Sequence, residues 1–127
     1  MRIKSFLLSG IRPLETELIE RGSIYWVNLD PTEGPEIGKI RPAVVISNNI
    51  NNQLSDTVTI IPITSSTGKI YPFEVFIPQG IVSNDSKAKA NQIRTIDKKR
   101  IKGLIGRIPD GIMRDIEKAL KIHLDFE

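Results

Sequence analysis

Short runs of β-branched and other apolar residues, separated by turn residues, set the pattern of this chain. Residues 24–29, 43–47 and 57–64 read as strands, because Val, Ile, Thr and aromatic residues suit a pleated, half-buried surface. Residues 73–77 and 88–95 read as two more, with Ser65-Ser66-Thr67-Gly68 and Pro78-Gln79-Gly80 supplying turns. Pro62 cannot donate to a ladder, so its run should lie at a sheet edge or carry a bulge that re-aims Ile63 and Thr64. Helical spacing is convincing only at the end. There Ile112, Ile116, Leu120 and Leu124, with Met113 and Ala119 beside them, share one face, and Asp110 is placed to cap the first turn. Closely spaced strands without helical crossovers predict a mainly β (α+β) fold, a small antiparallel barrel with the C-terminal helix packed on it.

Length allows one core and no second: 127 residues, of which residues 1–20 read as an extension of unknown role and residues 21–127 as the domain. Within the extension, residues 13–20 are compatible with a two-turn helix that offers little to bury. No apolar stretch approaches the roughly 20 residues of a membrane helix, and the start lacks the uninterrupted apolar region of a signal peptide. A soluble, cytoplasmic protein is expected, without membrane association. The absence of Cys removes disulfides, thiolate nucleophiles and thiolate metal ligands. The net charge of +3 hides an uneven distribution. Between Lys87 and Arg107 eight basic residues stand against one acid, Asp97, a local +7 that fits a polyphosphate partner or an acidic peptide. The competing reading is a solvated, lysine-rich surface.

Chemistry concentrates between the first two strands. Residues 30–42 hold three Pro and two Gly together with Glu36 and Arg41, so polar side chains sit on a loop fixed by rigid strands. The single histidine, His123, excludes catalysis by an imidazole pair and is expected to pack or face solvent. No zinc-type cluster, nucleophile elbow or phosphate-binding Gly-Lys-Ser/Thr loop is present, and neither metal nor cofactor is expected. An arginine, a carboxylate and hydroxyls suit RNA cleavage by the 2′-hydroxyl, which asks mainly for positioning, proton transfer and charge stabilisation. Arg41 offers a permanently charged planar fork for phosphate. Glu36 is placed to hold Arg41 or to act as base, and Thr64 to hydrogen-bond a phosphoryl oxygen.

The run from Gly22 to Asn48, with its Pro-Thr-x-Gly-x-Glu loop and Arg-Pro-x-x-Val-Ile strand, closely resembles the opening of the MazF/PemK (Kid) toxin endoribonucleases. Gln92-Ile93-Arg94-Thr95-Ile96-Asp97 is similar to that family's second signature. The resemblance spans residues 21–124 and implies a dimeric SH3-like barrel that cuts single-stranded RNA, often at short preferred sequences, without metal. It implies a growth-inhibiting toxin paired with an antitoxin whose acidic C-terminal segment covers the groove. Arg41 and Thr64 match the residues most often credited with catalysis, and Gln92 and Arg94 would line the RNA groove, with Ser47, Asn48, Ser65 and Lys89 as weaker contacts. One plasmid-encoded branch carries a histidine and an Arg-x-Asp pair where this chain has Pro35, Lys89 and Asn91. An asparagine cannot be a general base, so the proton would fall to Glu36 or the substrate. Two other readings stay open: a CcdB-like gyrase inhibitor, and a barrel that binds nucleic acid without reacting.

Overall fold

The structure, a computed structural model, describes residues 18–127. All but the last three residues of the expected extension lie outside these, as does most of its short helix. The order of elements is β1 (Ser23–Asn28), β2 (Ile40–Val45), α1 (Asn49–Leu54), β3 (Thr57–Thr64), β4 (Glu74–Ile77), β5 (Ser86–Lys89), β6 (Arg94–Asp97), β7 (Ile101–Arg107) and α2 (Asp110–Leu124). Two 3-10 turns, Ala90–Gln92 and Lys98–Arg100, flank β6.

All strand pairings are antiparallel, in the order β4-β5-β3-β2-β1-β7, with β6 also on β3. Along its far edge β3 changes partner. Residues 57–60 pair with β6, whereas Ile63 and Thr64 pair with Ala88 and Lys87 of β5. The change falls across Ile61-Pro62, where the missing Pro N–H costs no ladder bond on that side. The strand is therefore internal, not an edge, because its other side stays paired with β2 through Ala43↔Pro62.

Alternation along the strands divides the interior in two. Ile24, Val44, Ile61 and Ile63 face α2, whose Ile116 and Ala119 are fully buried against them together with Val75, Ile77 and Ala88. Tyr25, Val27, Ala43, Val45, Val58 and Ile60 point the opposite way into a second cluster with Ile96 of β6 and Ile101 of β7. The five strands β6-β3-β2-β1-β7 thus curl around this second core. The two end strands are joined by the 98–100 turn without a ladder between them. The expected mainly β, antiparallel fold with the C-terminal helix packed on it is the one observed, except that the sheet is open and curled where a closed barrel was expected.

Local readings also change. Residues 88–95 are not one strand: Ala90 is buried, its N–H bonds Phe73 O at 3.1 Å, and the 90–92 turn redirects the chain from β5 to β6. The strand β7 was masked by Gly103, Gly106 and its charges, and α1 by its asparagines. Asn48 caps α1, its Oδ1 accepting from Asn51 N at 2.8 Å. Asp110 is the first helical residue and Pro109 the cap position of α2; an acid there complements the helix dipole in place of a capping bond.

One buried charge cluster pins the small β3-β5-β4 wing. Glu74, with its side chain 1% exposed, accepts from Lys87 Nζ at 3.0 Å and lies 3.4 Å from Lys89 Nζ. Lys87 Nζ also donates to Lys69 O, and Tyr71 N to Glu74 Oε1, each at 3.0 Å. Burial pushes the Glu74 carboxyl up, but the Tyr71 N–H, Lys87 and then Lys89 outweigh it and hold its pKa below the ordinary value. A depressed carboxylate stabilises the fold above its unfolded-state pKa, ordinarily 4.5, and that contribution is lost as pH falls through the lower native value. Glu74→Gln strands Lys87 in the interior and is expected to cost about 3–5 kcal/mol in urea unfolding at pH 7, with a difference from wild type that shrinks in acid.

Candidate active site

The loop between β1 and β2 is held from within and from below. Leu29 N donates to Lys39 O at 2.8 Å, Lys39 N to Asp30 Oδ1 at 2.8 Å, and Glu33 N to Glu36 Oε1 at 2.9 Å. From the second sequence block, Arg94 Nη1 donates to Leu29 O at 3.0 Å, and Gln92 Oε1 accepts from Ile37 N at 3.3 Å. Arg100 Nη1 donates to Asn28 O at 3.1 Å and to Asp30 O. Gly38 lies so close to the loop that a Cβ there would stand 2.5 Å from Asp30 Oδ1 and 2.7 Å from Thr32 Oγ1. Its carbonyl accepts from Arg41 Nε at 2.9 Å.

Arg41 itself stands on β2, not in the loop. Its Nε is anchored, while no described residue accepts from its two terminal amino groups. Extending the β2–β3 register by two residues beyond Ala43↔Pro62 brings Arg41 opposite Thr64, both on the face of Ala43 and Val45. Thr64 Oγ1 accepts from Ser66 N at 3.2 Å, which leaves its O–H free to donate. Thr64 pairs with Lys87, and Lys87 with Phe76, so these three share a cross-strand row. Phe76, 44% exposed, was missed in the sequence. The signal was present in Glu-Val-Phe-Ile, where Val75 and Ile77 fill the core and the phenyl ring between them must point out.

The remaining expected residues fall in several places. Glu36, Gln92 and Arg94 line one recess of about 380 Å³ with Asn91 and Ile93. Asn91 Oδ1 is buried there without a hydrogen-bond partner. Glu36 does not hold Arg41, because one of its oxygens is tied to the loop backbone and no ion pair joins the two. Ser65 lines a second recess of about 200 Å³ with Arg41, Trp26, Pro42 and Asn84. Lys89 lies on the face of Thr64, but its ammonium is engaged by Glu74. Ser47 and Asn48 are not brought to Arg41: they lie about 20 Å away along β2 and beyond it. Ser47 Oγ bonds Asn52 Oδ1 and accepts from Thr59 N at 3.0 Å, while Asn48 caps α1. His123 is exposed in the last turn of α2. Among the described residues no group of His, Asp and Glu could hold a metal ion, and no helix is long and apolar enough to cross a membrane.

Comparison with known proteins shows the family and the fold. Residues 20–124 match a family model described as PemK-like, MazF-like toxin of type II toxin-antitoxin system. A curated relative, Endoribonuclease MazF9 of Mycobacterium tuberculosis, is 38% identical over 116 residues, covering 86% of this chain and 98% of its own. The crystal structure of MazF from Deinococcus radiodurans superposes with a TM-score of 0.78 at 26% identity, covering 86% of this chain and 98% of its own. A MazE-MazF structure from the same organism gives 0.72 at 26%, with 87% and 99% covered. The open sheet curled around one core, with a C-terminal helix on its other face, is thus the fold of these toxins, and the chain belongs to the PemK-like, MazF-like toxin family of type II toxin-antitoxin systems.

Proposed function

We propose that this toxin is a metal-independent endoribonuclease that cuts single-stranded RNA, mRNA above all, and so arrests translation and growth. The observation that carries the reading is the Arg41 fork, anchored through Nε with both amino groups unengaged, while Thr64, two residues beyond the last β2–β3 pair, keeps a hydroxyl free to donate. The name and 38% identity of the mycobacterial endoribonuclease support it.

In the proposed reaction the phosphate lies between Arg41 and Thr64. The 2′-oxygen attacks phosphorus as the bond to the 5′-oxygen breaks, giving a 2′,3′-cyclic phosphate and a 5′-hydroxyl. Arg41 places two N–H donors on the phosphoryl oxygens, Thr64 a third, and their charge and dipoles are fixed before reaction. Glu36 lines a recess other than that of Arg41, so the 2′-proton passes to a phosphoryl oxygen of the substrate or to solvent water, and solvent water supplies a proton to the leaving oxygen. Phe76, in the row of Lys87 and Thr64, offers a face on which a flanking base can stack, and Ser65 lines the Arg41 recess. Gln92 and Arg94 bind the strand chiefly by fixing the loop, with spare donors facing the recess they share with Glu36.

The partner is an antitoxin, which the MazE-MazF structure of a relative supports; in this reading its acidic C-terminal segment covers the same cations. Trp26, Ile40 and Leu104 expose apolar surface on β1, β2 and β7 that fits association of two copies. Its mRNA substrate puts the toxin in the cytoplasm.

Incubation of long RNA with the protein in EDTA tests the chemistry. Discrete cuts bearing cyclic phosphate ends are expected, with Arg41→Ala and Thr64→Ala each slowed at least about a hundredfold at unchanged circular dichroism, the usual cost of a lost transition-state donor. Full activity in Arg41→Ala would sink the mechanism, and RNA that is bound but never cut would leave a passive binding module. His123→Ala should retain wild-type rates. Gly38→Ala is expected to lower turnover at least about tenfold while the sheet stays folded, because the displaced carbonyl no longer orients Arg41; equal rates for Gly38→Ala and wild type would detach the loop from catalysis.

A further inference from the structure

We propose that the recess where β7 runs into α2 is a second phosphate-binding subsite, one that grips the RNA backbone away from the cut bond. It rests on the ribonuclease reading but uses none of that site's residues. The recess has a volume of about 300 Å³ and gathers three guanidinium groups, those of Arg21, Arg107 and Arg114, with the amide of Asn49. Arg21 is fixed: it donates to Ile46 O and pairs with Glu117 Oε2, so the Glu117 charge is already answered. Asn49 Oδ1 accepts from Arg21 N at 2.7 Å, which leaves the amide N–H₂ as a donor.

Arg107 and Arg114 differ from these. Among the described residues neither guanidinium has a hydrogen bond or an ion pair. Arg107 lies over Gly22, whose φ of +92° suits glycine and whose absent Cβ would stand 3.3 Å from Arg107 Nη2. Among the described residues Asp110 is the one lining acid without a hydrogen bond from a side chain or an ion pair, so two unanswered guanidiniums face one carboxylate. Two like charges held together repel, and a shared anion relieves the repulsion; arginine forks match the oxygens of a phosphate.

Position selects RNA as the source of that phosphate. Ser23 of β1 pairs with Arg107, and Val27 of the same strand with Arg41. Four strand residues, about 13 Å, separate the two positions along β1, and the arginines stand on its opposite flanks, about 10 Å apart across the strands, within reach of one RNA strand several nucleotides long.

The test measures binding of a 20-nucleotide RNA, made uncleavable by a 2′-deoxy substitution at the cut position, as salt is varied. The double variant R107A/R114A should lower the slope of log affinity against log salt by about 0.7, the loss of one phosphate contact to a single strand. R107K/R114K should restore most of the slope, and a pentanucleotide spanning only the cut should bind wild type and R107A/R114A alike. An unchanged slope for the long RNA overturns the proposal. So does a thermal shift by inorganic phosphate that R107A/R114A abolishes while the RNA slope stays the same, because the recess would then take a small anion. Wild-type cleavage of the unmodified pentanucleotide, run in parallel, reports separately on the ribonuclease reading.

Discussion

The whole arrangement hangs on one strand that must serve two neighbours along a single edge. Eight residues long, β3 offers residues 57–60 to β6 and its last two to β5, and Pro62 sits where the change occurs. A residue with no N–H is tolerated there because no partner strand is waiting for it. The division sends β6 around the Tyr25, Val27 and Ile60 core and carries β5 with β4 onto the α2 side. Thr64 stands at the far tip of the same strand, so its position relative to Arg41 is fixed by the geometry that splits the sheet.

Charge is used in an equally divided way. The basic segment from Lys87 to Arg107 looks like a single patch in the sequence, but its members do different work. Lys87 and Lys89 answer a buried carboxylate. Arg94 and Arg100 spend hydrogen bonds on carbonyls at the base of the β1–β2 loop, and keep their full charge because a carbonyl neutralises nothing. A guanidinium is suited to this double duty, with five donors in a rigid fork and no proton to lose near neutrality.

Much of this was legible in the residues. The β-branched runs gave β1, β2, β3 and β4, helical spacing gave α2, and the Gly22–Asn48 stretch singled out Arg41. What stayed hidden depended on partners remote in sequence. Nothing local in residues 88–95 says that Ala90 will bond Phe73 and break the run, or that Glu74 lies beneath Lys89. Gly103 and Gly106 lower strand propensity, so β7 emerges only from its pairing with β1. The register of Arg41 against Thr64 is likewise a property of two strands together. Ser47 and Asn48 resembled surface contacts because a cap and a solvent-facing amide use the same side chains.

The chain has a single tryptophan, and its surroundings give it an optical consequence. Trp26 stands opposite Gly103 on one side and Pro42 on the other, and a Cβ at Gly103 would meet nothing within 4 Å. The indole is 42% exposed at the rim of the recess that it shares with Arg41. Excited where only indole absorbs, the protein therefore emits from one fluorophore beside the candidate site, and whatever covers it, a second copy included, changes its colour and intensity without any label.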